Sequence, residues 1–149
     1  ASERPVAGAR SVLLGAMRYR ALASPEFVAR HFPDGFDAGQ LARAPALVFG
    51  PDDLLQHRYM AGLGIEGGFT HHLCPSSEGF MRMAEAGLGW GLMPELQVQP
   101  QLAAGTLLEL TPQRWVDVPL YWHHWRHGGQ LLTDLTSHLA RQAGTWLVT

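Results

Sequence analysis

The chain of 149 residues has a single cysteine, Cys74. That excludes an intrachain disulfide and fits a reducing compartment, so a cytoplasmic location is expected. An excess of charge of one sign is also missing: eleven Lys and Arg stand against thirteen Asp and Glu, for a formal net charge of −2. The basic residues are scattered, with no stripe suited to neutralising phosphates, so this chain is not expected to touch DNA itself. No apolar run reaches the length of a membrane span or a secretory core; "VLLGAM", near the start, is far too short. No contact with a membrane is expected. Repeats and low-complexity tracts are absent, and the chain opens without methionine on loop-like composition, which reads as a fragment of something longer.

The motifs of several chemistries are missing too. There is no G-x-S-x-G elbow for a serine nucleophile, and Cys74 lacks the flanks of a cysteine nucleophile. "GLGWG" has neither the spacing of a phosphate-cradling loop nor a helix after it. His71, His72 and Cys74 lie close together, as do His123, His124 and His127, but neighbours on a strand point to opposite faces. His72 and Cys74 would share a face, and two ligands do not make a zinc site, so no metal is expected. The missing motifs leave an enzyme unsupported without excluding one, and no cofactor is expected.

What is present is an ordinary globular composition, 46% hydrophobic and 16% charged, enough for a sizeable core. Residues 18–23, "RYRALA", alternate as a short strand and run into "SPEFVARHF", where Ser24 can cap and Pro25 and Glu26 suit a first helical turn. A second short helix is predicted from Asp37, with Gln40 at capping-box spacing. "PALVFG" reads as a buried strand, 52–61 as a helix, "GLGIEGGF" as a loop and "THHLC" as a strand.

The next helix carries Phe80, Met83, Ala84 and Gly87 on one face. "GWGLMP" is then a strand, "ELQVQPQLAAG" a helix interrupted at Pro100, and "TLLEL" and "VPLYWHHW" strands. Leu132, Leu135, Leu139 and Trp146 give the last helix an apolar stripe. This alternation predicts an α/β domain with a largely parallel sheet, whose ligands bind beyond the carboxyl ends of the strands.

Ser76 and Ser77 head the helix after "THHLC", in such a place. Helix amino termini present unpaired N–H groups and partial positive charge, so serine hydroxyls there suit a carboxylate or phosphate. The plain alternative is capping, which needs only one of them. Glu78 could neutralise a cation, yet it precedes Arg82 by four residues and fits a solvated helical face. Asp52 and Asp53 follow "ALVFG"; one can serve the helix start and the other face a cleft, where two acids would suit an amine. Trp115, Tyr121, Trp122 and Trp125 could stack on a ligand, although aromatics in a half-buried strand also serve a core.

Three stretches, "LGAMRYRALASPEFVARHFPDG", "SSEGFMRMAEAGLGWGLMPELQVQPQLAAGTLLELTP" and "PLYWHHWR", carry a likeness to a known family. From about Leu14 onward the chain resembles the effector-binding domain of LysR-type transcriptional regulators, in the arginine/lysine-responsive branch that controls basic amino-acid exporters. "GLGxGLMP" points to the superfamily, "LYWHHW" and "FPDG" to the branch.

The resemblance implies a periplasmic-binding-protein-like (type II) α/β fold, two subdomains joined by crossover strands with a small effector between them. Residues 1–18 would be a remnant of the first subdomain and a crossover, 19–108 the second subdomain, and 109–149 the return crossover and the rest of a truncated first subdomain. DNA would be engaged only through an N-terminal winged helix-turn-helix absent from this chain, in a homodimer or homotetramer. The family's ligand contact at this helix start falls on Ser76 and Ser77, while Glu78 and Asp53 are added by charge and Trp122 by its place beside the return crossover. The expected effector is L-lysine or L-arginine, and no catalysis is expected of such a domain. The alternative is a free-standing solute-binding domain or a small enzyme of the same fold.

Overall fold

β1 is much longer than its apolar alternation predicts. In the computed structural model, which describes residues 2–149, it runs Ala9–Ala23, and most of it is half-buried on both faces. A strand without one dry face shows no period of two, which is why only its end, residues 18–23, was legible. Within that stretch Ala21, Leu22 and Ala23 are fully buried.

The remaining elements follow in the order α1 (Pro25–His31), α2 (Ala38–Arg43), β2 (Ala46–Val48), α3 (Leu55–Gly62), β3 (His71–Leu73) and α4 (Ser77–Glu85). Then come β4 (Gly91–Pro94), α5 (Glu95–Ala104), β5 (Leu108–Glu109), β6 (Trp115–Trp125) and α6 (Gly129–Ala143). Contacts divide the chain into two units: one holds residues up to Arg18 with Asp117–Thr149, the other Tyr19–Val116.

In the Tyr19–Val116 unit, β2 pairs in parallel with β3, Ala46 opposite His71 and Val48 opposite Leu73. On its other side Ala46 bridges Trp90 in parallel, and Leu47 N–H donates to the Trp90 carbonyl at 2.7 Å. β1 lies antiparallel to β4, Leu22 opposite Gly91, and antiparallel to β5, Ala23 opposite Leu108. So β2, β3, β4 and β5 share one direction and β1 alone is reversed. The expected largely parallel sheet is corrected to a mixed one. α3, α4 and α5 do link parallel strands, but α1 and α2 lead from β1 to a strand of opposite direction, and alternation carries no information on direction.

Capping explains the helix starts. Ser24 Oγ accepts the Phe27 N–H at 3.1 Å, and Asp37 Oδ1 accepts that of Gln40 at 2.8 Å. Gln40 Oε1 has no partner, so the reciprocal half of the capping box is not made. α5 is not interrupted: it runs through Pro100, which is exposed, so the carbonyl that loses its donor there is left to water. In α4 the buried residues are Phe80, Met81 and Ala84, whereas Gly87 lies past the helix end at φ +78°, a left-handed turn that suits glycine.

These side chains join Leu22, Leu47, Met93, Val98 and Leu107 in one cluster around the sheet. Each fully buried aliphatic or aromatic side chain there contributes about 1.5–3 kcal/mol. That cluster holds α4 against β2 and β4, and so fixes where the amino terminus of α4 points.

Candidate functional site

Within the Tyr19–Val116 unit, a cavity of about 550 Å³ opens beyond the carboxyl ends of the parallel strands. Its rim is made by the loop after β2, the start of α4, Tyr19 of β1 and the β4–α5 junction. The volume is that of a small-metabolite site.

At the start of α4 the two serines have different fates. Ser76 is the N-cap, its Oγ accepting the Gly79 N–H at 3.1 Å. Ser77 lines the cavity, and its hydroxyl makes no hydrogen bond among the described residues. Its carbonyl accepts Gln97 Nε2 at 3.0 Å, which ties the first turn of α4 to α5. One serine builds the helix and the next is left to face a ligand.

The acidic pair divides in the same manner. Asp53 Oδ2 accepts the Phe49 N–H at 2.9 Å and its Oδ1 the Leu55 N–H at 3.1 Å. It therefore closes the loop between β2 and α3, and starts α3 three residues later than the sequence pattern predicts. Asp52 also lines the cavity, is exposed, and makes no hydrogen bond or ion pair among the described residues. Tyr19 forms part of the wall; burial, and then the nearby Asp53 carboxylate, raise its phenol above the ordinary value. It stays protonated and can donate or accept.

Glu78 and Trp122 are not among the residues that line this cavity. Glu78 pairs with Arg82 at 3.4 Å, with both side chains mostly in solvent, and is not among the cavity residues. Trp122 belongs to the other unit, where its Nε1 donates to Thr136 Oγ1 at 3.0 Å. Of the other aromatics on β6, Trp115 stacks on Arg20, the guanidinium carbon 5.0 Å from the ring centroid, and Trp125 is exposed. Among the described residues no group of three His, Cys, Asp or Glu could hold a metal ion, and no helix is long and apolar enough to cross a membrane.

Sequence reasoning missed Tyr19, Phe49 and Gln97 as wall residues. Tyr19 reaches the site through the antiparallel register that sets it opposite Pro94, a pairing 75 positions apart that no local pattern reports. Among the described residues no Lys, Arg or His lines the cavity. Its wall joins two carboxylates, a helix amino terminus and an apolar stretch from Phe49, Pro51, Leu92 and Met93.

Comparison with known proteins gives a consistent picture. The family model for the LysR substrate binding domain matches residues 2–144. The chain is 74% identical over 148 residues to the HTH-type transcriptional regulator ArgP of Pseudomonas fluorescens, covering 99% of this chain and 50% of that protein. It is 42% identical over 148 residues to the lysine export transcriptional regulatory protein LysG of Corynebacterium efficiens, covering 97% of this chain and 50% of that protein. The chain thus spans about half the length of the curated relatives it matches. Among solved structures it is similar to full-length LysG of Corynebacterium glutamicum with bound effector Arg, at a TM-score of 0.83 and 37% identity, over 99% of this chain and 51% of that one.

Proposed function

Because this chain belongs to the LysR substrate-binding domain family, we propose that it is the effector-sensing part of a LysR-type DNA-binding transcriptional regulator responding to L-lysine or L-arginine. The fold is the periplasmic-binding-protein-like type II α/β fold of that family. The relatives named above are transcriptional regulators rather than enzymes or solute carriers, which favours regulation over the alternatives. In this reading the protein acts in the cytoplasm as a homo-oligomer, binds DNA through a winged helix-turn-helix outside this chain, and controls genes of amino-acid export or metabolism.

The observation that carries the effector assignment is the cavity wall: a helix amino terminus, two carboxylates, an apolar stretch and no cationic side chain. An amino-acid carboxylate suits the amino terminus of α4 beside the Ser77 hydroxyl. The methylenes of lysine or arginine suit the apolar stretch, and their terminal cation suits an acid. Binding then acts by population shift, favouring whichever conformation holds the effector better. Support also comes from the LysG structure, whose effector is arginine.

Calorimetric titration of the protein with L-lysine and L-arginine, against L-leucine and L-glutamate, tests this. Selective uptake of a basic amino acid is the expected result; none at millimolar ligand would discard the effector class.

A further inference from the structure

Resting on that reading, we infer that Asp52 is the specificity-determining residue, the carboxylate that meets the effector's side-chain cation, while Asp53 is a positioning residue for the loop that carries it. The sequence offers two adjacent acids with nothing to separate them. Their hydrogen bonds do separate them. Both oxygens of Asp53 already accept backbone N–H groups, from Phe49 and Leu55, one on each side of the loop. Such a carboxylate has much of its charge answered by the backbone, and its removal would release the loop. Asp52 has no partner among the described residues and still lines the cavity.

Charge counting gives Asp52 its role. A basic amino acid carries an α-carboxylate and an α-ammonium on one carbon, and one further cation at the end of an aliphatic stem. The α-carboxylate suits the amino terminus of α4, and the α-ammonium beside it can be met by neutral acceptors of the same wall, the Ser77 hydroxyl and the Tyr19 phenol oxygen. The third lies several bonds away and needs its own anion. Apart from Asp53, the other polar side chains of the wall are neutral: the Ser77 hydroxyl, the Tyr19 phenol and the Gln97 amide. Asp52 is therefore the unengaged charge that distinguishes lysine from norleucine, or arginine from citrulline. Phe49, Pro51, Leu92 and Met93 serve both members of each pair equally, because the stems are alike.

The experiment measures affinities of wild type, Asp52→Asn and Asp53→Asn for L-arginine against L-citrulline and for L-lysine against L-norleucine, with a melting curve for each protein. Wild type is expected to prefer the cationic member of each pair. Asp52→Asn should cut that preference roughly tenfold, the size of one charge-assisted hydrogen bond. Its affinity for the neutral members and its melting temperature should stay near wild type, since Asp52 supports nothing in the fold. Asp53→Asn should weaken both members of a pair together and lower the melting temperature. An unchanged preference in Asp52→Asn overturns the inference while leaving the basic-amino-acid reading in place. An equal loss of arginine and citrulline also overturns it, because Asp52 would then meet the shared α-ammonium. Failure of wild type to bind either basic amino acid overturns the reading and the inference with it.

Discussion

At Ser76 the hydroxyl is committed to the Gly79 N–H, and at Ser77 it is not, although the two residues are chemically identical and adjacent. Substitution separates the roles. Ser76→Ala should lower stability by about 1 kcal/mol, read from the denaturant midpoint, because an orphan amide loses its cap. Ser77→Ala should leave that midpoint unchanged and weaken binding of the basic amino acid about fivefold, as the loss of one hydrogen bond does. His31 gives a pH signature at the same scale. It stacks on buried Phe27, ring centroids 4.2 Å apart, and burial followed by the Arg30 charge pushes its pKa below the ordinary value. A lowered folded-state pKa means that the folded chain takes up the proton less readily than the unfolded one. The contribution is therefore full above the ordinary value of about 6.5 and is lost as pH falls from there through the lowered folded-state value. Melting temperature should drop between pH 7.5 and 5.5, and by less in His31→Gln.

The elements show where local pattern suffices and where it fails. Caps at Ser24, Asp37 and Ser76 are where the sequence places them, because capping is settled within four residues. The breadth of the buried face of α4 is set instead by what it meets. Gly91 of β4 leaves room for the Phe80 ring, and a Cβ built there would stand 2.5 Å from Phe80 Cε1. Gly91→Ala should cost about 1–3 kcal/mol by urea denaturation, and adding Phe80→Leu should recover part of the loss. α5 passes through Pro100 because that side of the helix faces water, which no reading of the proline alone could determine.

Across the whole chain, burial is unevenly shared between the two units. Among the described residues, those that are buried and hydrophobic are, with the exception of Ala9, all found in the Tyr19–Val116 unit. α6, in the other unit, has the apolar stripe expected from Leu132, Leu135 and Leu139, yet none of its residues is buried. Trp146 lies past its end and is exposed. Helices without a buried face open locally at little cost. Hydrogen exchange on this chain should therefore find the amides of α6 exchanging at least tenfold faster than those of β4 and the residues 19–23 of β1. Equal protection would mean that the half-buried face of α6 and the Trp122–Thr136 bond hold it as firmly as the buried core holds β4.

Sequence alone determined the alternation of strands and helices, the family, the serine-headed helix at a strand's carboxyl end, and the absence of catalytic and metal-binding motifs. The family rests on the resemblance of whole stretches; the others depend on periodicity, capping and spacing, which act between residues a few positions apart. Tertiary structure alone decided the reversed direction of β1, the entry of Tyr19 and Gln97 into the cavity wall, and which residue of each doublet is committed to the fold. Adjacent Asp52 and Asp53 have the same side chain. What separates them is which carboxylate the folded loop turns toward the amides of Phe49 and Leu55, a side-chain direction set by the folded backbone and not by residue type.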